Sequence, residues 1–243
     1  MDDGAYTGVV AALWAEARCL TEIDAAIGAQ AQLSGVRLRL AGMGAERAAK
    51  AAQKLLDDGA GALVSWGTCG ALQSELFAGD VVLPHAVRDE AGTVYDTDAR
   101  WRTRVRAALS PELGSAHEGV LLSAARPWAT AAEKRRGGAA GAAVVDMESA
   151  AVARVALDVG VPFLAIRVIV DAVDVTIPSA AIAGVDTLGR VRPWPFALQL
   201  LRRPGQLMRL PRLGRDFAKA TDGLHSIAAT CLPAIASASV RHA

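Results

Sequence analysis

Four apolar runs in this 243-residue sequence end on groups able to do chemistry. Ala143-Val144-Val145 leads into Asp146-Met147-Glu148, and Gly8 to Leu13 is followed by Glu16. Gly61 to Trp66 meets Gly67-Thr68-Cys69-Gly70, and Phe163 to Val170 stops at Asp171. Helix N-termini favour negative charge, so Glu16 and one member of the Asp146/Glu148 pair are accounted for as caps. A second carboxylate directly after a strand is not. Open α/β sheets gather their ligands at strand C-terminal ends, and Glu16, Thr68, Glu148 and Asp171 all fall there. The chemistry open to them is hydrogen bonding to a ligand and, for the carboxylates, proton transfer.

The elements that must position these groups follow one pattern: apolar strand, polar or glycine turn, helix. It recurs at Leu13, Ala41, Trp66, Val145 and Val170. The repetition predicts a three-layer α/β/α fold with a central, mostly parallel or mixed sheet. One domain over residues 1–243 is expected, with a basic apolar insert at about 186–215. Helices are expected from Trp14 to about Ala29, Glu46 to Leu56, Asp98 to Leu109, Ala129 to Arg136, Ser149 to Val159 and Asp216 to Leu232. Gly42-Met43-Gly44 reads as a structural turn, a lone Gly-x-Gly being weak evidence for a phosphate site. Gly67 to Leu72 reads as a second turn whose glycines let the backbone approach a ligand. Ser123 to Trp128 is expected as a loop, placing Trp128 near the same sheet end as core aromatic or base-stacking group.

Composition narrows the class. Hydrophobic residues make up 52% and charged residues 21%, which supports a substantial core and argues against disorder. A net charge of +1 gives no general argument for nucleic acid, and none is expected as partner. Cys19, Cys69 and Cys231 are far apart and read as reduced thiols, and four scattered histidines lack ligand spacing, so no metal or organic cofactor is implied. The acidic opening Met-Asp-Asp is unlike a signal peptide, and no apolar run approaches the ~20 residues that span a bilayer. The expectation is a cytoplasmic protein, with possible peripheral contact at the inner membrane face.

The motifs Ala-Leu-Trp-Ala-Glu16, Trp-Gly67-Thr-Cys-Gly70, Val-Asp146-Met-Glu148-Ser and Arg167-Val-Ile-Val-Asp171 resemble, in order and spacing, the superfamily of purine nucleoside phosphorylases and 5′-methylthioadenosine/S-adenosylhomocysteine nucleosidases. Within it the chain most resembles the hopanoid-associated phosphorylases, which act as adenosylhopane nucleosidases. The resemblance implies cleavage of the N-glycosidic bond of an adenine nucleoside, through a transition state like an oxocarbenium ion. Asp171 would be the general acid that protonates the purine at N7. Glu16 would activate water, and Glu148 would accept hydrogen bonds from the ribose hydroxyls. Met147 would pack on the sugar, and Thr68, beside Gly67, would place a hydroxyl near the ribose or the nucleophile. Arg167 would be a cation behind the site or on the nucleophile side, with Asp146 in a supporting role. Such proteins are usually dimeric, so a homodimer is implied.

Two departures bear on the nucleophile. Phosphorylases of this superfamily carry Gly-Asp-Pro-x-Arg near the N-terminus and an arginine just before the glycine-rich turn. Here Ala-Leu-Trp-Ala-Glu-Ala-Arg and Ser65 stand in those places. Without guanidinium clamps for a dianion, water is the expected nucleophile. Between Arg190 and Arg215 lie seven arginines and no acidic residue, interleaved with Trp194, Phe196 and several leucines. That composition fits either a membrane-surface or lipid-contacting element or a docked helix with a basic edge. Pro193, Pro195, Pro204 and Pro211 favour short pieces, suited to a lid. The reading is hydrolysis of adenosylhopane to ribosylhopane and adenine. The alternatives are a phosphate-dependent phosphorylase, a general 5′-methylthioadenosine/S-adenosylhomocysteine nucleosidase, and a non-catalytic nucleoside- or lipid-binding protein.

Overall fold

In a computed structural model, residues 6–194 and 204–238 are described. Ten strands among them form one mixed sheet built as two blocks. In the first, β1 (Tyr6–Ala11), β3 (Val36–Leu40), β4 (Ala60–Ala71) and β10 (Phe163–Asp171) run parallel in the order β3-β1-β4-β10. β2 (Gln30–Leu33) lies antiparallel beside β3, and β5 (Val81–Val82) antiparallel beside β10. In the second block, β9 (Ala142–Asp146), β8 (Val120–Ser123) and β6 (Ala86–Asp89) run parallel, with β7 (Val94–Asp96) antiparallel at the edge. The blocks meet at one short joint, where Gly70 and Ala71 of β4 pair antiparallel with Val145 and Val144 of β9. The C-terminal ends of both blocks therefore overlap head to head.

Helices cover both faces, giving the three layers expected. α2 (Ala45–Asp57) and α5 (Ser149–Val159) bury Ala48, Ala52, Leu55, Val152 and Ala156 against one face. α1 (Trp14–Arg18), α3 (Ala99–Ala107) and α7 (Leu210–Ala236) cover the other, over Leu38, Trp66, Leu164 and Ile166. In α7 the buried residues Ala220, Leu224, Ile227, Cys231 and Ile235 recur at three- and four-residue intervals, the stripe a docked helix needs. All three cysteines are buried and unpaired. None of the described helices is long and apolar enough to cross a membrane.

Three expectations need correction. The first helix stops at Arg18, because the chain must turn back at Gly28 (φ 84°) to lay β2 beside β3. Gly67 to Ala71 is no turn: β4 continues through it, held by β10 on one edge and then by β9. The last helix begins at Leu210 and takes in Pro211, tolerated in a first turn where the missing N–H has no partner to lose. Part of the arginine-rich stretch is therefore the start of α7, and its stretch 195–203 lies outside the described residues.

α4 (Ala131–Ala139) bridges the joint. Thr130 and Glu133 close its N-terminus as a capping box. A Cβ at Gly138 would overlap the carbonyl oxygen of Leu72, and one at Gly137 the ring of Trp128. The two glycines let the helix press against the end of β4. We predict that Gly138→Ala, despite its gain in helix propensity, destabilises the protein by about 1 kcal/mol or more through overpacking. Urea unfolding measures this, and an unchanged midpoint would show that α4 does not need the close approach.

Candidate functional site

A cavity of about 220 Å³ opens at the joint. Leu13 and Glu16 enter it from β1 and α1, Thr68 to Gly70 from β4, Asp146 to Glu148 from β9, and Asp171 from β10. A larger hollow, about 400 Å³, lies at the opposite strand ends beside Gly160 to Phe163 and holds none of these groups.

Glu16 is 3% exposed. Its Oε2 accepts the Leu13 N–H at 3.0 Å, so it does cap its own helix. Its Oε1 accepts both the backbone N–H and the hydroxyl of Thr68, each at 2.8 Å. A Cβ at Gly67, where φ is 152°, would stand 2.7 Å from the Glu16 carboxyl carbon, so glycine there makes room for the carboxylate. Burial pushes the Glu16 carboxyl above its usual range, against the Thr68 hydrogen bonds and the nearby Arg167.

Asp171, also 3% exposed, ends β10 and is bonded through Oδ2 to Lys134, whose side chain is fully buried. A Cβ at Gly70 would lie 3.3 Å from this carboxylate, so a second glycine of β4 accommodates a second acid. Burial raises the Asp171 carboxyl, Lys134 opposes the rise, and Asp216 adds to it. Glu148, half-buried, accepts the Gly44 N–H at 2.8 Å through Oε1. Burial and the adjacent Asp146 push its carboxyl up to about 7.

Asp146 and Arg167 form a buried ion pair at 2.7 Å. The Arg167 guanidinium also reaches Ser65 Oγ at 2.5 Å and Ser149 Oγ at 2.8 Å. Arg167 is spent on these partners and lies behind the cavity, one of the two places expected for it, while Gly67 does not line the cavity where a substrate-contacting residue is expected. Asp146 Oδ2 holds the pair, while its buried Oδ1 has no partner among the described residues and belongs to a residue that does line the cavity. Such an orphan acceptor is costly unless something donates to it.

Met147 and Trp128 are at the cavity wall as expected. Sequence reasoning missed Lys134 and Met43. Lys134 falls in a span read only as a helix, and the signal for its burial is Gly137-Gly138, three and four residues on, which marks the helix face pressed inward. Met43 enters the cavity from the Gly42-Met43-Gly44 turn, whose N–H groups serve Glu148 and the fold rather than an anion.

A sequence profile described as the phosphorylase superfamily matches residues 32–188. The chain belongs to that superfamily. No curated protein matches it. Among solved structures it is similar to the 5′-methylthioadenosine/S-adenosylhomocysteine nucleosidase of Neisseria meningitidis in complex with methylthio-immucillin-A, at 20% identity and TM-score 0.64, covering 92% of this chain and 98% of that one. The native futalosine hydrolase of Helicobacter pylori gives 15% identity and TM-score 0.64, covering 92% and 97%. The adenine complex of the Colwellia psychrerythraea nucleosidase gives 20% and 0.60, covering 81% and 94%. At these identities the likeness is one of fold: the mixed sheet between helical layers is that of the phosphorylase superfamily.

Glu148 offers a pH test. A carboxyl whose pKa rises on folding makes the native state bind more protons than the unfolded chain between about 4.5 and 7. Its contribution to stability is therefore present below that window and lost as pH rises through it. Replacing Glu148 with Gln removes the effect. The difference in unfolding free energy between Glu148→Gln and wild type should grow in favour of the variant from pH 5 to pH 7.5, and a pH-independent difference would contradict the raised pKa.

Proposed function

We propose that the protein hydrolyses the N-glycosidic bond of an adenine nucleoside. The observation that carries this reading is the pair of buried acids, Glu16 and Asp171, brought to one cavity from separate strand ends. Asp171 gives its proton to N7 of the adenine as the C1′–N9 electron pair passes to the base. Its burial raises its affinity for that proton, the direction a general acid needs. Glu16 takes the proton of the water that adds to C1′, with Thr68 fixing the direction of its carboxylate. Glu148 accepts from the ribose hydroxyls, with Asp146 supporting it from behind through the Arg167 pair. Met147 packs on the sugar and Trp128 flanks the base.

Water is favoured over phosphate because the guanidinium groups nearby are already committed. Arg167 is held by Asp146, Ser65 and Ser149, and Arg126 at the rim pairs with Glu133 at 2.6 Å. No free cation remains among the described cavity residues to receive a dianion.

The finer reading is adenosylhopane as substrate, with ribosylhopane as the second product. The stretch leading into the arginine-rich segment supports it. Leu188 O accepts from Trp14 N at 3.0 Å and Thr187 O from Met43 N at 2.7 Å, so residues 187–188 cross the rim between Leu13 and Met43. Beyond them stand Val191, Trp194, Leu207 and Met208, all exposed, the last at 87%. An apolar 5′ substituent needs exposed apolar groups of this kind outside the cavity, and the arginines would suit an anionic membrane surface.

Purified protein should release adenine, and Asp171→Asn and Glu16→Gln should each lower that rate by on the order of 10²–10⁴-fold while remaining folded. Full activity in Asp171→Asn would contradict the acid assignment, and nucleoside binding without turnover in the wild type would leave a non-catalytic binding protein. Faster release from adenosylhopane in detergent than from methylthioadenosine supports the lipid substrate; the reverse order makes the protein a general nucleosidase.

A further inference from the structure

Lys134 is a feature of the site that the reading above leaves without a task. It lies on α4, outside the strand-end motifs, and is 0% exposed. A lysine is seldom buried so completely unless paired. Its Nζ bonds Asp171 Oδ2, the carbonyl of Ala172 at 3.0 Å and the carbonyl of Val175 at 2.8 Å. Three acceptors match the three hydrogens of an ammonium group, and none of those hydrogens is left to face the cavity. The chain builds this arrangement at some expense: the Thr130/Glu133 capping box fixes the helix start, and two adjacent glycines let the helix close on Leu72 and Trp128. The strap that follows β10 is tied to the same place by the Ile177 N–H bond to Ala129 O at 2.8 Å.

We propose that Lys134 is a positioning residue for Asp171: it fixes Oδ2, which turns Oδ1 toward the leaving base, and it receives the negative charge that appears when Oδ1 gives up its proton. The proposal rests on the hydrolase reading above and assigns a task to a residue that reading does not use.

The proton balance is simple. Before reaction Asp171 carries a proton on Oδ1 and accepts from Lys134 on Oδ2. As the C1′–N9 bond breaks, its electron pair enters the purine, N7 takes the Oδ1 proton, and Asp171 becomes a carboxylate beside an ammonium. Water completes C1′ and leaves its proton on Glu16. When the products depart, Glu16 releases its proton to solvent and Asp171 regains one through the open cavity. Burial alone would hold the proton on Asp171 too firmly to give it away, because the carboxylate left behind would be unpaired in an apolar pocket. The ammonium removes that penalty at the moment of transfer. Lys134 itself never touches substrate. Asp216 of α7 also faces Asp171, and its like charge works against ionisation, so the compensation comes from α4.

A leaving group that needs no proton gives the decisive contrast. Full-length wild type and Lys134→Met would be compared on an adenine nucleoside and on 4-nitrophenyl riboside, whose phenolate departs unprotonated. Lys134→Met should lose on the order of 100-fold or more in kcat/KM for adenine release, with most of the loss in kcat, and less than about tenfold for the nitrophenyl riboside. Should the methionine variant not fold, Lys134→Gln keeps donors for the Ala172 and Val175 carbonyls without the charge, and the same contrast is expected. Equal losses on both substrates would mean that Lys134 only shapes the pocket, and no loss on either would mean that it has no role; each overturns the proposal while leaving the hydrolase reading intact. A wild type inert toward both substrates would overturn that reading and this proposal together.

Discussion

Keeping carboxylates out of water is the demand around which this structure is arranged. Glu16, Asp146 and Asp171 are at most 7% exposed, and Glu148 is half-buried beside them. An isolated carboxylate in an apolar interior is so unfavourable that it either finds donors or takes up a proton. Each acid here has its own answer. Glu16 has the Thr68 and Leu13 donors, Asp146 has Arg167, Asp171 has Lys134, and Glu148 has the backbone N–H groups of Gly44 and Met147 and a carboxyl pushed up to about 7. The acids are thus kept apart in space, each held by partners of its own.

The sheet makes this possible through its joint. Had the two blocks run on as one parallel sheet, their strand ends would lie side by side in a row. Antiparallel pairing limited to Gly70-Ala71 and Val144-Val145 instead sets the ends against each other across a small gap. The glycines of β4 belong to the same design. At Gly67 a Cβ would occupy the space that the Glu16 carboxylate uses, and at Gly70 it would crowd the Asp171 carboxylate at 3.3 Å. The backbone is thinned where acids must come close.

The strand-helix rhythm, the three layers and the convergence of Glu16, Thr68, Glu148 and Asp171 were legible because strand-end polar groups interrupt long apolar runs. The continuation of β4 through Gly67-Thr68-Cys69-Gly70 was not, since glycine reads locally as a breaker and its role here is to spare space for side chains from elsewhere. Lys134 was hidden for a related reason. In Glu133-Lys134-Arg135-Arg136 the residue types do not separate the lysine that points inward from the arginines that point out; only Gly137-Gly138 just beyond them mark the inward face, and the separation comes from α4 docking on β4 and Trp128. Arg167 was visible as the one polar interruption in β10, yet its partners Ser65 and Ser149 are drawn from two other elements. The short antiparallel strands β2, β5 and β7 carry too few residues for a period to show.

The central claim is that the sugar leaves bonded to oxygen from water. The most direct test is the sugar product formed from an adenine nucleoside in phosphate buffer made with ¹⁸O-water, read by mass spectrometry. The account predicts a free sugar carrying one ¹⁸O at its anomeric position, at a rate unchanged when phosphate is omitted. A sugar 1-phosphate with no label, formed only when phosphate is present, would contradict it and make the protein a phosphorylase.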